Sequence, residues 1–407
     1  MHDLRYGRQA AWLFQTAMLV FLVTIGLGMA RGLGLIDFAD RNQVLTHLHS
    51  GTIGWITLGI MGAVLVLYSR DDQRPGADTF LNWSCLVLVV TVPAYLVAWW
   101  TGNLPFRAIA GSALLLGIVM YVAWLVREAA AIGYSRLTTP QLGAVIGLVT
   151  LVVGSTLGVM LQIGFATATS LLPGDAIGAH AETQVSAYLV LVAMSLVYWG
   201  LHGNDRTARG TWMVWLFFAA GAILAVSFLA GADEGAVAFI PFDLAAIVIL
   251  LTLVGGRVIS PGWGDAAPGR HFAAAVPFAL FYIGIFIFII VGFLVFEIWP
   301  TFEDIPANFI PAAEHPLFVG VVTNILFAIL LRLNRDKRHI WPWADDVLFW
   351  GLNAAVTVFT LALLFDVDAL LPFVTPVLGL SILVGIIANS LRLQSSVGAD
   401  RQPMPGT

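Results

Sequence analysis

Twelve stretches of this chain are apolar enough and long enough to cross a bilayer, and that repetition constrains everything else about it. A hydrocarbon core takes about 20 residues of helix to span. Lipid offers a peptide backbone no hydrogen bonds, so every such stretch must be helical. The spans are predicted over 11–34, 45–68, 79–101, 107–129, 140–165, 176–201, 211–232, 239–258, 272–299, 309–333, 347–368 and 371–393. Charge content points the same way: 11% of the 407 residues are charged and 59% are hydrophobic, against roughly 25% charged in soluble domains. The expected fold is all-α and integral to the membrane. It is a single domain over 1–393 without a sizeable soluble part, followed by a short disordered tail over 394–407. The first span, preceded by Arg5 and Arg8, is too long for a signal-peptide core and lacks a small-residue cleavage pattern, so it reads as a retained helix.

The connections set the orientation. Sixteen Lys and Arg fall at the N-terminus, at the C-terminus and in the even-to-odd connections; three, Arg31, Arg41 and Arg107, fall on the opposite side. By the positive-inside rule both termini are predicted to be cytoplasmic, in the cell's inner (plasma) membrane. An even number of spans agrees with that. The net charge of −5 and the lack of a long basic stretch argue against nucleic acid as a partner. Cys85 is the single cysteine, which rules out an internal disulfide and a thiolate cluster.

The chemistry concentrates in histidines. Of eight, His2, His202, His271 and His339 fall at cytoplasmic ends or loops and are expected to be solvated or interfacial. The other four open spans that enter from the outer side: His47 and His49 on the second, His180 on the sixth, His315 on the tenth. All four are therefore predicted at one outer depth, on spans four apart. That interval divides the chain into possible repeats over 11–129, 140–258 and 272–393. Laid over one another, the segments 49–54, 180–185 and 315–320 share little, but Gly54 and Gly320 each follow a histidine by five residues. Such a glycine admits a flat group or a neighbouring helix. Ionisable groups inside a membrane are costly and mark function, and neutral imidazole is a common ligand for heme iron, copper and zinc. Residues i and i+2 lie about 200° apart around a helix. His47 and His49 are therefore expected to serve two sites, one completed by His315 and the other by His180. Two imidazoles on one heme iron leave no open position and suit electron transfer.

Glu182 and Glu314 neighbour these histidines and are candidates to hydrogen-bond ligating imidazoles or to carry protons. Asp243 lies at a similar depth. Arg31, Arg41 and Arg107, the only outer cations, are candidates to pair with heme propionates. No nucleotide-binding, zinc-protease or heme c attachment motif occurs.

The plan of histidines on spans 2, 6 and 10 of a twelve-helix chain resembles subunit I of the heme-copper oxidases and nitric oxide reductases. The stretch 47–55 is similar to the His-x-His helix of the cbb3-type branch, and 315–324, with Arg332 downstream, resembles the NnrS family of heme- and copper-containing proteins linked to nitric oxide. The resemblance implies a pseudo-threefold arrangement of four-helix groups. It implies heme b, one or two per chain, with copper as a further candidate. It places a low-spin heme on His47 or His49 with His315, and matches His180 to a copper ligand. The seventh span has no histidine and the tenth has one, so a standard binuclear centre cannot be assembled. The expected function is electron transfer, or handling of nitric oxide or dioxygen, with the metal site toward the outer side. The bilayer, a diatomic gas or an electron donor, and a second copy of the chain are the partners to consider. A secondary transporter, and a metal or heme sensor or assembly factor without turnover, are the alternatives.

Overall fold

The computed structural model describes residues 4–36, 40–69, 78–260, 268–299 and 304–398. Among them are twelve helices able to span a membrane: α1 Gly7–Gly32, α2 Arg41–Tyr68, α3 Thr79–Trp100, α4 Leu104–Ile132, α5 Thr139–Thr167, α6 Ala176–Leu201, α7 Ala208–Leu229, α8 Glu234–Val258, α9 Pro268–Leu294, α10 Phe309–Leu333, α11 Ala344–Leu364 and α12 Asp368–Gln394. The chain is a multi-pass, all-helical membrane protein. Its helix starts are set locally. Asp78 caps α3 through the Phe80 N–H, and Asn103 caps α4 through the Phe106 N–H. Thr138 and Gln141 form a reciprocal capping box on α5. Each satisfies a backbone donor that the first turn leaves without a helical partner.

Two ends differ from expectation. The ninth span stops at Leu294 rather than 299. Val295 and Phe296 both donate to Val291 O, Glu297 takes φ +48°, and Ile298 donates to Gly292 O. The turn folds Trp299 back onto Gly292, where a Cβ would lie 2.7 Å from the indole. The twelfth helix runs on to Gly398, so the segment after 393 is helical for another turn; residues 399–407 lie outside the described residues.

Burial sorts the helices into a centre and a periphery. The apolar windows of α2, α6 and α10 are 78%, 67% and 78% buried, while the other nine lie between 33% and 50%. The peripheral helices turn residues such as Leu19, Val90 and Ile109 outward, as a lipid-facing surface requires.

The three central helices share a feature. Each contains an eight-residue π-helical segment soon after its histidine: Ser50–Thr57, Thr183–Val190 and Pro316–Thr323. A π turn bonds i to i−5 and inserts one residue into the register. Thr57 and Thr323 follow the same offset, each donating its hydroxyl at 2.9 Å to the carbonyl five residues back. The π segments meet at the axis. Trp55 Nε1 donates to Thr323 Oγ1 at 2.9 Å, and the Tyr188 hydroxyl donates to Thr57 Oγ1 at 3.4 Å. Unpaired, each such buried group would cost about 2–7 kcal/mol. At the end of the bundle where α9 and α11 begin, fully buried Arg392 donates to Asp345 at 2.6 Å, Arg338 donates to the same carboxylate at 3.0 Å, and Arg270 donates to Asp346 at 2.7 Å.

Candidate functional site

All four histidines at the start of α2, α6 and α10 are half-buried, and all four are held the same way. His49 Nδ1 bonds Leu45 O at 2.7 Å and His315 Nδ1 bonds Pro311 O at 2.8 Å, each using the carbonyl one turn back on its own helix. His180 Nδ1 bonds Gly154 O of α5 at 2.8 Å, and His47 Nδ1 bonds Thr24 O of α1 at 3.1 Å. A carbonyl oxygen only accepts, so every Nδ1 must be the donor. Each ring, when neutral, is therefore the tautomer with its lone pair on Nε2. A metal-ligating imidazole almost always has this arrangement, with its second nitrogen tied to a carbonyl or carboxylate.

The rings form two pairs. His49 lies within electrostatic reach of His180, and His47 within reach of His315. The two-residue offset on α2 thus directs one imidazole toward α6 and the other toward α10. Two glycines make room for the rings. A Cβ on Gly158 of α5 would lie 2.7 Å from His180 Cε1, and one on Gly28 of α1 would lie 3.1 Å from His47 Cε1. Gly54 and Gly320 do the other job open to such glycines: they admit neighbouring helices, at Val20 of α1 and Phe278 of α9. Among the described residues no group of three or more His, Cys, Asp or Glu gathers as an ion cage.

The His49–His180 pair lines a cavity of about 910 Å³. Arg41, Asn42 and Arg107 lie at the end where α2 and α4 begin, and Thr57 and Tyr188 reach it from the central π segments. Its volume falls in the range of cofactor sites, about 300–1,000 Å³. Trp99 stacks on His49 with centroids 4.4 Å apart and planes 22° from parallel, and Tyr95 meets His49 edge-on at 5.8 Å. The Arg107 guanidinium lies 4.3 Å from the centroid of Trp99, and it donates to Asn42 Oδ1 and to Ala98 O. Arg31 is not among the lining residues. On the other side of α2, His315 packs on Phe359 of α11 at 4.8 Å.

The chain matches no protein-family model and no curated protein sequence.

The carboxylates do not hold the imidazoles, since all four Nδ1 protons go to backbone carbonyls. Glu182 instead accepts from Ser186 at 2.6 Å. Glu314 lines the cavity, and both it and Asp243 lie within electrostatic reach of Glu182. The expectation for His271 fails. It is fully buried, with Nδ1 bonded to Asn324 Oδ1 at 2.7 Å and its ring edge-on to Phe349 at 5.0 Å. His202 pairs with Asp205 at 3.7 Å and His339 is exposed, as expected; His2 lies outside the described residues. Tyr95 and Asn42 were not singled out by the sequence. Gly154 and Gly158 were legible as a small-xxx-small pair, the spacing that lets helices approach closely.

Proposed function

We propose that this chain is a heme b protein of the membrane, specialised for electron transfer and related to the heme-copper oxidase and NnrS group. One observation carries the reading: four imidazoles, each with Nδ1 donated to a backbone carbonyl and the lone pair left on Nε2, occur as two interhelical pairs. One of the pairs lines a cavity of cofactor size.

The residues fit the group. His49 and His180 would hold it in the cavity, and Arg41 and Arg107 would pair with its carboxylate side chains. Trp99 and Tyr95 would shield the His49 side from water. His47 and His315 would hold a second heme in the same manner, on the pair of helices that the family resemblance implies. Pairs suit an iron porphyrin, whose ring supplies the remaining four ligands; copper favours a third protein ligand. Heme b would supply a one-electron couple, and two imidazoles per iron leave no position for a gas. Electron transfer is therefore favoured over reduction of nitric oxide or dioxygen.

The matching π segments on α2, α6 and α10 support a pseudo-threefold arrangement of four-helix groups. The sixteen-to-three bias of Lys and Arg supports cytoplasmic termini in the inner membrane, with the cavity mouth toward the outer side and the electron donor or acceptor there.

The test is spectroscopic. The purified full-length protein, expressed with ample heme, should be red and show a six-coordinate low-spin spectrum in both oxidation states. A colourless preparation, or a heme spectrum unchanged in His49→Ala, His180→Ala, His47→Ala and His315→Ala, would reject the proposal.

A further inference from the structure

We infer that Trp99 is a positioning residue for the His49–His180 centre, fixing the plane of the His49 imidazole and coupling it to the charge of Arg107; the inference rests on the heme reading above. His49 is held by one hydrogen bond, from Nδ1 to Leu45 O. A single bond through one ring atom restrains where that nitrogen sits but leaves the ring free to rock about it. The stacked indole, 4.4 Å away and 22° from parallel, removes that freedom. Trp99 is itself fixed. It is buried at 4% exposure, Tyr95 meets it edge-on at 5.9 Å, and Arg107 lies against its ring.

Arg107 is anchored in turn by Asn42, on the turn of α2 that leads to the histidines, and by Ala98 O, next to Trp99 in α3. The stack therefore ties α2, α3 and α4 together around one imidazole. In the other pair, the His315 imidazole packs on Phe359 instead of an indole. The two centres are thus inequivalent, although their Nδ1 bonds match.

Two consequences follow. The orientation of an axial imidazole sets the anisotropy of a ferric low-spin centre, so removing the indole must alter the signal of this centre and leave the other unchanged. A fixed cation stabilises the reduced state, which carries one charge less, so Arg107 must hold the midpoint potential of this centre above its value without the charge.

The test uses the purified full chain, with the two centres assigned by His180→Ala and His315→Ala. In Trp99→Leu, the electron paramagnetic resonance g-values of the centre that His180→Ala removes should shift. In Trp99→Phe, which keeps a ring to stack, they should stay close to wild type. In Arg107→Gln, the midpoint potential of the same centre should fall while the other holds. A merely structural role for Trp99 would affect both centres together. Unchanged g-values in Trp99→Leu, or equal shifts in both centres, overturn the inference. If both tryptophan variants fail to fold, an unchanged potential in Arg107→Gln overturns it. These failures differ from failure of the heme reading itself, in which the wild-type protein is colourless or His180→Ala loses no signal.

Discussion

The two sides of α2 begin from the same chemistry and are built differently. Toward α6, His49 faces a cavity of about 910 Å³ with Arg41 and Arg107 among its lining residues, and its ring is stacked on Trp99. Toward α10, His47 reaches Thr24 O of α1 for its hydrogen bond, and its partner His315 rests on Phe359. One side sets its imidazoles beside cations and a cavity; the other sets them against α1 and α11. A two-residue step in one helix therefore suffices to make two sites, and the peripheral helices decide their character. The third contact among the central helices, α6 against α10, shows how far that can go. There the ionisable groups are Glu182, which accepts from Ser186, and Glu314, within its electrostatic reach.

The largest expected effect separates the sides outright. His49→Ala with His180→Ala should remove one heme per chain, and His47→Ala with His315→Ala should remove the other, read as heme-to-protein ratio on folded protein. Loss of both hemes from either pair would mean that the sides are not independent. Next comes Gly158→Val. A Cβ there would lie 2.7 Å from His180 Cε1, and a rigid ring held on both sides cannot yield. Occupancy of the α6-side centre should fall several-fold while the other is kept, measured by the same ratio with resolved redox titration. Gly28→Ala is milder, with its Cβ at 3.1 Å from His47 Cε1. It should perturb the spectrum of the α10-side centre without emptying it. His271→Leu should change neither centre. It removes one of the two donors to Asn324 Oδ1, leaving Asn353 Nδ2 at 3.3 Å, and should cost about 0.5–1.5 kcal/mol of stability, visible as a lower Tm at unchanged heme content.

Much of this was legible in the sequence, for identifiable reasons. The spans follow from hydropathy because lipid forces helix wherever a run is apolar. The end of α9 escaped because four of residues 295–299 are apolar, and Glu297, where the chain folds back, was read inside the span. That His47 and His49 face different neighbours followed from helical period alone. The π segments did not, because a one-residue change of register leaves no mark in composition. His271 was misplaced for a related reason. The helix starts at Pro268, about one turn earlier than hydropathy predicts, which carries the ring inside to Asn324. The carboxylates were only candidate partners of the imidazoles, on the ground that they are neighbours in sequence. In a helix, however, the nearest acceptor for Nδ1 is the carbonyl one turn back, which His49 and His315 use. The cavity needed α3, α4 and α5 in place before it existed at all.

The central claim is that opposed imidazoles on α2, α6 and α10 grip prosthetic groups. The most direct measurement is the heme b content of the purified chain by pyridine hemochrome, for wild type and the single variants His180→Ala and His315→Ala. The account predicts two hemes per chain, falling to one in each variant. Heme-free wild-type protein, or the same ratio in all three, would contradict it.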